Sequence, residues 1–171
     1  MSGYYDKNLS ADKLKKVYEI APPRTKQYLQ AEIDFVLNHI KSTDTVLELG
    51  CGYGRVLKPL TQKAKTVFGI DSSLDNMKAA HKYLSRCDNI QLYTMNAVEL
   101  AFKKNSFDKV ICIQNGISAF HVDPEKLMDE SLRVAKKDGL ILFSSYSDKF
   151  WENRLEWFKI QSEYKLLGEI D

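Results

Sequence analysis

Cysteine is scarce in this chain of 171 residues: Cys51, Cys87 and Cys112 are odd in number and form no C-x-x-C pair. Neither a disulfide framework nor a zinc site is indicated, and a reducing cytoplasm fits best. Long apolar runs are also missing. No uninterrupted hydrophobic stretch approaches the roughly 20 residues that span a bilayer, and residues 1–10 lack the apolar centre of a secretory leader. An excess of one charge is nearly absent, with 25 Lys+Arg against 23 Asp+Glu and a formal net charge of +2. No basic run is long enough to form a stripe, so composition gives a nucleic-acid partner no support. Internal repeats, low-complexity segments and linkers are not found. What remains is ordinary for a globular domain, 44% hydrophobic and 28% charged, with enough chain for one domain and a real core.

The chain is organised around Thr45-Val46-Leu47-Glu48-Leu49-Gly50-Cys51-Gly52-Tyr53-Gly54-Arg55. A β-rich apolar run ends in glycines at alternate positions, and a helical pattern then starts at Val56, Leu57 and Leu60. Strand, tight loop and helix start in this order let a ligand lie against bare backbone, and some of these positions require positive φ. The dinucleotide fingerprint G-x-G-x-x-G, read from Gly50, would need glycine at position 55, where Arg55 stands. The spacing therefore disfavours NAD.

Before the loop, helices are expected over about 10–20, ended by Pro22-Pro23, and from Arg24, with Leu29, Ile33, Val36, Leu37 and Ile40 on one stripe. Strands are expected at 45–49, 66–71, 90–94, 107–113 and 140–144. Between them fall a helix bent or started late by Pro59, one capped by Ser72 or Ser73 with Leu74, Met77, Ala80, His81 and Leu84 inward, and one opened by Asp123-Pro124. Lys136-Lys137-Asp138-Gly139 is read as the end of that last helix. Alternating strands and helices with short links predict right-handed crossovers and an α/β, doubly wound, mostly parallel sheet. Ligands on such sheets sit beyond the carboxyl ends of the strands. Gly50 to Gly54, Asp71, Asn96 and Gln114 to Ser118 all fall there.

Glu48-x-Gly50-x-Gly52-x-Gly54 together with Asp71-Ser72-Ser73 and Met77 resembles the class I S-adenosylmethionine (SAM) dependent methyltransferases, of the type acting on small molecules. The resemblance covers Thr45 to about Ser144. It implies a Rossmann-like core with SAM as cofactor and S-adenosylhomocysteine as product. The implied cofactor-binding residues are Glu48, Gly50, Cys51, Gly52, Gly54, Asp71, Ser72, Met77, Asn96, Ala97 and Gln114. Asp71 matches the family's ribose-gripping acid, whose two oxygens can accept from neighbouring hydroxyls. Asn96 stands where the family often has an aspartate, so its amide oxygen would have to accept from the adenine amino group. Glu48 is read either as bracing the loop or as lying near the methionyl ammonium. Cys51 has no base in the sequence to activate it and reads as a small loop residue. Arg24 and Tyr28 are weaker candidates for the SAM carboxylate.

The implied reaction is methyl transfer to a small-molecule acceptor by in-line displacement, with His121 as the candidate general base. Tyr4, Tyr5, Phe120, His121 and an aromatic tail of Tyr146, Phe150, Trp151, Trp157 and Phe158 are expected to supply the walls of the acceptor pocket. A nucleic-acid or protein methyltransferase is the enzyme alternative, although Gln114-Asn115-Gly116-Ile117 lacks the Asn/Asp-Pro-Pro-aromatic motif of the amino-methylating family. A SAM-binding regulatory or partner module without turnover is the non-enzyme alternative. The expected organisation is N-terminal helices at 1–44 that pack on the core and cover the cofactor, a core at 45–145, and a helical tail at 146–171. The tail is expected to bury Trp151, Leu155 and Phe158, with a sixth strand beginning at 166–170. Because the family usually has seven strands, the sequence predicts a C-terminally incomplete domain with strands six and seven missing. Self-association through the exposed strand-five edge is expected to follow.

Overall fold

The computed structural model describes residues 12–167. Helices α1 (Asp12–Glu19) and α2 (Pro23–Asn38) precede a sheet of five parallel strands, β1 (Thr45–Leu49), β2 (Thr66–Asp71), β3 (Ile90–Thr94), β4 (Phe107–Cys112) and β5 (Ala135–Phe143), in the order β3-β2-β1-β4-β5. Between strands lie α3 (Leu57–Thr61), α4 (Leu74–Tyr83), α5 (Gly116–Ala119) and α6 (Pro124–Val134). A 3₁₀ turn (Asp148–Phe150) then leads into α7 (Trp151–Glu163). Strand order reverses between β1 and β4, which opens a crevice at their carboxyl ends.

Side-chain alternation along the strands decides the two faces. Val46, Val67 and Ile111 join Ile33 and Val36 of α2, Leu57 and Leu60 of α3, and Met77 and Ala80 of α4 in one core. Leu47, Ile70 and Val110 join Leu127 and Val134 of α6 in the other. The doubly wound architecture is thus as expected, and strands one to three keep their expected bounds. Ser73 is the α4 cap, its Oγ accepting from Asn76 N at 3.3 Å, and Asp123 caps α6 through Glu125 N at 3.0 Å.

Four expectations need correction. The α6 helix stops at Val134, and residues 136–139 belong to β5, bulging out between the Phe107–Ala135 and Lys109–Leu140 pairs. Lys136 can leave the ladder because its Nζ holds Asp108 Oδ1 at 2.8 Å. On α4, Leu74 is 59% exposed and His81 is also exposed, while Asn76 takes a buried place beside Asp71. On α7, Trp151 is 52% exposed and Trp157 and Gln161 are the buried residues. Leu166 and Leu167 form no strand, and residues 168–171 of the expected sixth strand lie outside the described residues.

The flanking segments meet each other. Val17, Ala21, Leu29 and Trp157 form a third core, and Trp157 Nε1 donates to Val17 O at 3.0 Å. Helices from before and after the sheet therefore make one cover beside the crevice.

Candidate functional site

The glycine loop leaves β1 in the left-handed region, with φ of 69° at Gly50, 55° at Gly52 and 93° at Gly54. A Cβ at Gly50 would stand 2.4 Å from the Phe120 ring, so the loop is both conformationally and sterically committed to glycine there. Gly52 N donates to Asp71 Oδ2 at 2.8 Å, while Asp71 Oδ1 accepts from Ser73 N at 2.9 Å and from Asn76 Nδ2 at 3.2 Å. Asp71 thus ties the end of β2 to the loop after β1 and to the first turn of α4, where the helix dipole favours a carboxylate.

A cavity of about 350 Å³ opens above these strand ends. Among the implied residues it brings together Gly50, Gly52, Asp71, Ser72, Asn96, Ala97 and Gln114. The others lie elsewhere. Met77 is a buried core residue under α4, and Gly54 packs on α4, where a Cβ would meet Leu84 Cδ1 at 2.7 Å. Cys51 is buried, and burial raises its thiol pKa well above the ordinary value, which agrees with an inert loop residue. His121 is exposed, has φ of 51° and does not line the cavity. Its neighbours Phe120 and Val122 line the cavity on either side of it in the chain. Tyr4 and Tyr5 lie outside the described residues. Of the aromatic walls, Phe120, Tyr146, Trp157 and Phe158 line the cavity, whereas Phe150 is buried against Tyr28 at 4.2 Å between ring centroids. Arg24 is exposed and bonds Gln27 Oε1 at 2.6 Å, and Tyr28 donates to Ser145 O at 3.1 Å. Neither residue lines the cavity.

Beneath the loop is a buried polar layer. Glu48, 5% exposed, points to the α2 side of the sheet by alternation from Val46, and its Oε2 has no hydrogen-bond partner. Burial lifts its carboxyl from 4.5 to about 8, against the opposing pull of Arg55. Arg55, the residue that breaks the dinucleotide spacing, lays its guanidinium 4.6 Å from the Tyr18 ring centroid. Tyr18 donates its hydroxyl to Gln114 Oε1 at 2.8 Å, and Gln114 N donates to Ser144 Oγ at 2.9 Å. Ser144 in turn donates to Glu32 Oε1 at 2.5 Å, and burial raises the Glu32 carboxyl as well. Gln114 Nε2 is buried without a partner.

Residue type alone did not reveal Glu32, Tyr18, Ser144, Arg154 or Gln161. Tyr18 and Glu32 belong to helices before the sheet, and Ser144 follows β5, so only the fold unites them. Arg154 and Gln161 share a helical face with Trp157 and Phe158 at i, i+3, i+4 and i+7, but a cation and an amide interrupt the apolar periodicity that would mark it. Asn96 Oδ1 accepts from Val98 N at 3.1 Å, so its amide also shapes its own loop. Among the described residues no helix is long and apolar enough to cross a membrane, and no cluster of potential metal ligands occurs.

Residues 47–143 match the family model described as a methyltransferase domain. An uncharacterized protein of Methanocaldococcus jannaschii is 33% identical over 82% of the chain, and the match covers 49% of that protein. A ubiquinone biosynthesis O-methyltransferase of Paracidovorax citrulli is 32% identical over 58% of the chain and 42% of its own length. The chain thus spans about half the length of these relatives. A SAM-dependent methyltransferase structure from Aquifex aeolicus superposes with a TM-score of 0.61 at 21% identity, covering 85% of this chain and 86% of that one, which speaks for the fold. Sequence motif, sheet order and family match agree, and the chain belongs to the class I SAM-dependent methyltransferases.

Proposed function

We propose that this domain binds SAM in the cavity above β1, β2 and β4 and transfers its methyl group to a small-molecule acceptor. The observation that carries the reading is the convergence of Gly50, Gly52, Asp71, Asn96 and Gln114 on one cavity at the switch point. The residues suit the cofactor. Gly50 and Gly52 present backbone to the cavity, Asp71 would offer carboxylate oxygens to ribose hydroxyls, and Gln114 Nε2 is a buried donor lacking an acceptor. When bound, SAM supplies a methyl carbon on a sulfonium. Gly50, Gly52, Asp71, Asn96 and Gln114 would hold the cofactor, which would supply an electrophilic carbon from which an acceptor's electron pair displaces the sulfur.

The chain's own part is positioning and exclusion of water. Asp71 fixes the loop through Gly52 N, Tyr18 holds Gln114, and α1 and α7, joined through Trp157, line one side of the cavity. The named activity of the Paracidovorax relative, an O-methyltransferase of ubiquinone biosynthesis, favours a small-molecule acceptor. A thermal-shift series with SAM, S-adenosylhomocysteine and NAD tests the reading, since a ligand of the folded state alone raises its apparent stability. The two sulfur nucleosides should stabilise the chain and NAD should not. Stabilisation by NAD alone would overturn the reading.

A further inference from the structure

Helix α7 turns an unusual face toward the cavity, in which a cation and an amide are set among aromatic rings. Arg154, Trp157, Phe158 and Gln161 all line it. The Arg154 guanidinium lies 4.3 Å from the Tyr146 ring centroid and 5.0 Å from that of Phe158. Among the described residues it makes no ion pair, and its Nε is buried with no hydrogen-bond partner. Gln161 is 3% exposed, and its Nε2 likewise has no partner. Leaving such donors unsatisfied is costly, and contact with aromatic faces offsets only part of the cost for the guanidinium. Buried donors with no partner in the chain call for one from outside it, a bound water or a ligand.

Sheet order separates this end of the cavity from the nucleoside end. Asp71 closes β2 and Asn96 follows β3, at one edge of the order β3-β2-β1-β4-β5. Tyr146 and α7 follow β5, at the other. Orphaned donors from Arg154 and Gln161 suit the two oxygens of a carboxylate, and the neighbouring Tyr146 and Phe158 rings suit a planar skeleton.

We propose that the methyl acceptor is a planar small molecule bearing a carboxylate, and that Arg154 and Gln161 bind that carboxylate. The inference rests on the methyltransferase reading above and names the acceptor class for the same cavity. Calorimetric titration tests it with benzoate, 4-hydroxybenzoate and indole-3-acetate, each against its primary amide, with and without saturating S-adenosylhomocysteine. At least one acid should bind about tenfold or more tightly than its amide, the scale of hydrogen bonds to a charged group. Arg154→Met should bring that ratio close to unity while leaving S-adenosylhomocysteine affinity unchanged, and Arg154→Lys should retain part of the preference. If no acid binds, or acids and amides bind equally to the wild type, the proposal is wrong. A well-folded Arg154→Met chain that loses about tenfold or more in S-adenosylhomocysteine affinity overturns it too, because the cation would then serve the cofactor. Failure of the wild type to bind S-adenosylhomocysteine overturns the methyltransferase reading instead, while the titrations of acid against amide without it still test the carboxylate site.

Discussion

Glu48 shows how one residue position serves shape and charge together. Strand alternation forces its side chain into the interior beneath the glycine loop, where burial lifts the carboxyl to about 8. The folded chain therefore holds this proton more tightly than the unfolded chain. Stability tied to Glu48 is complete below about pH 4.5, declines as pH rises toward 8, and levels off above it. Glu48→Gln, which mimics the neutral acid, should be stabilised relative to wild type by an amount that grows between these limits, reaching on the order of 2–5 kcal/mol. Denaturation midpoints at several pH values check this, and parallel curves for the two proteins would contradict it. Gly50 presents the converse case, where a side chain is excluded. Its φ of 69° and the Phe120 ring at 2.4 Å from a notional Cβ predict that Gly50→Ala costs about 1–3 kcal/mol in stability and also weakens S-adenosylhomocysteine binding. Chemical denaturation and calorimetry read the two effects separately.

At the scale of elements, β1 and β2 were legible because each is a short, largely apolar run followed by glycine or closed by an acid, a signature of buried parallel strands. Asp71 was legible through the family resemblance and its place at the end of the second strand, and it also serves as a carboxylate at the first turn of α4. The tail was not. Its inward face was expected to hold Trp151, Leu155 and Phe158, yet α7 buries Trp157 and Gln161 and sends Arg154 into the cavity. A hydrophobicity pattern cannot register a face whose cation is accommodated by aromatic rings. The start of β5 was hidden similarly, because Lys136 leaves the ladder to pair with an acid on β4 that sequence distance conceals. The α1–α7 contact gives an element-scale prediction. Trp157→Phe keeps the ring packing but removes the Nε1 bond to Val17 O, and should cost about 0.5–1.5 kcal/mol. Amide exchange should accelerate in both α1 and α7, whereas acceleration in α7 alone would show that the two helices do not form one cover.

For the molecule as a whole, a half-buried hydrogen-bond network joins segments distant in the chain: Glu32 of α2, Gln114 after β4, Ser144 after β5 and Tyr18 of α1. A cavity built this way is formed only when the sheet and both flanking segments are in place, so cofactor affinity reports on the entire fold. Asp71 is the residue through which that report is clearest, because it touches the glycine loop, the α4 cap and the cavity at once. The decisive measurement is calorimetric titration of S-adenosylhomocysteine into the wild-type chain and into Asp71→Ala. Saturable binding by the wild type, weakened in the variant by about 1.5–3 kcal/mol, is the predicted result. Absence of binding by a folded wild-type chain, or equal affinity of the two proteins, would contradict it.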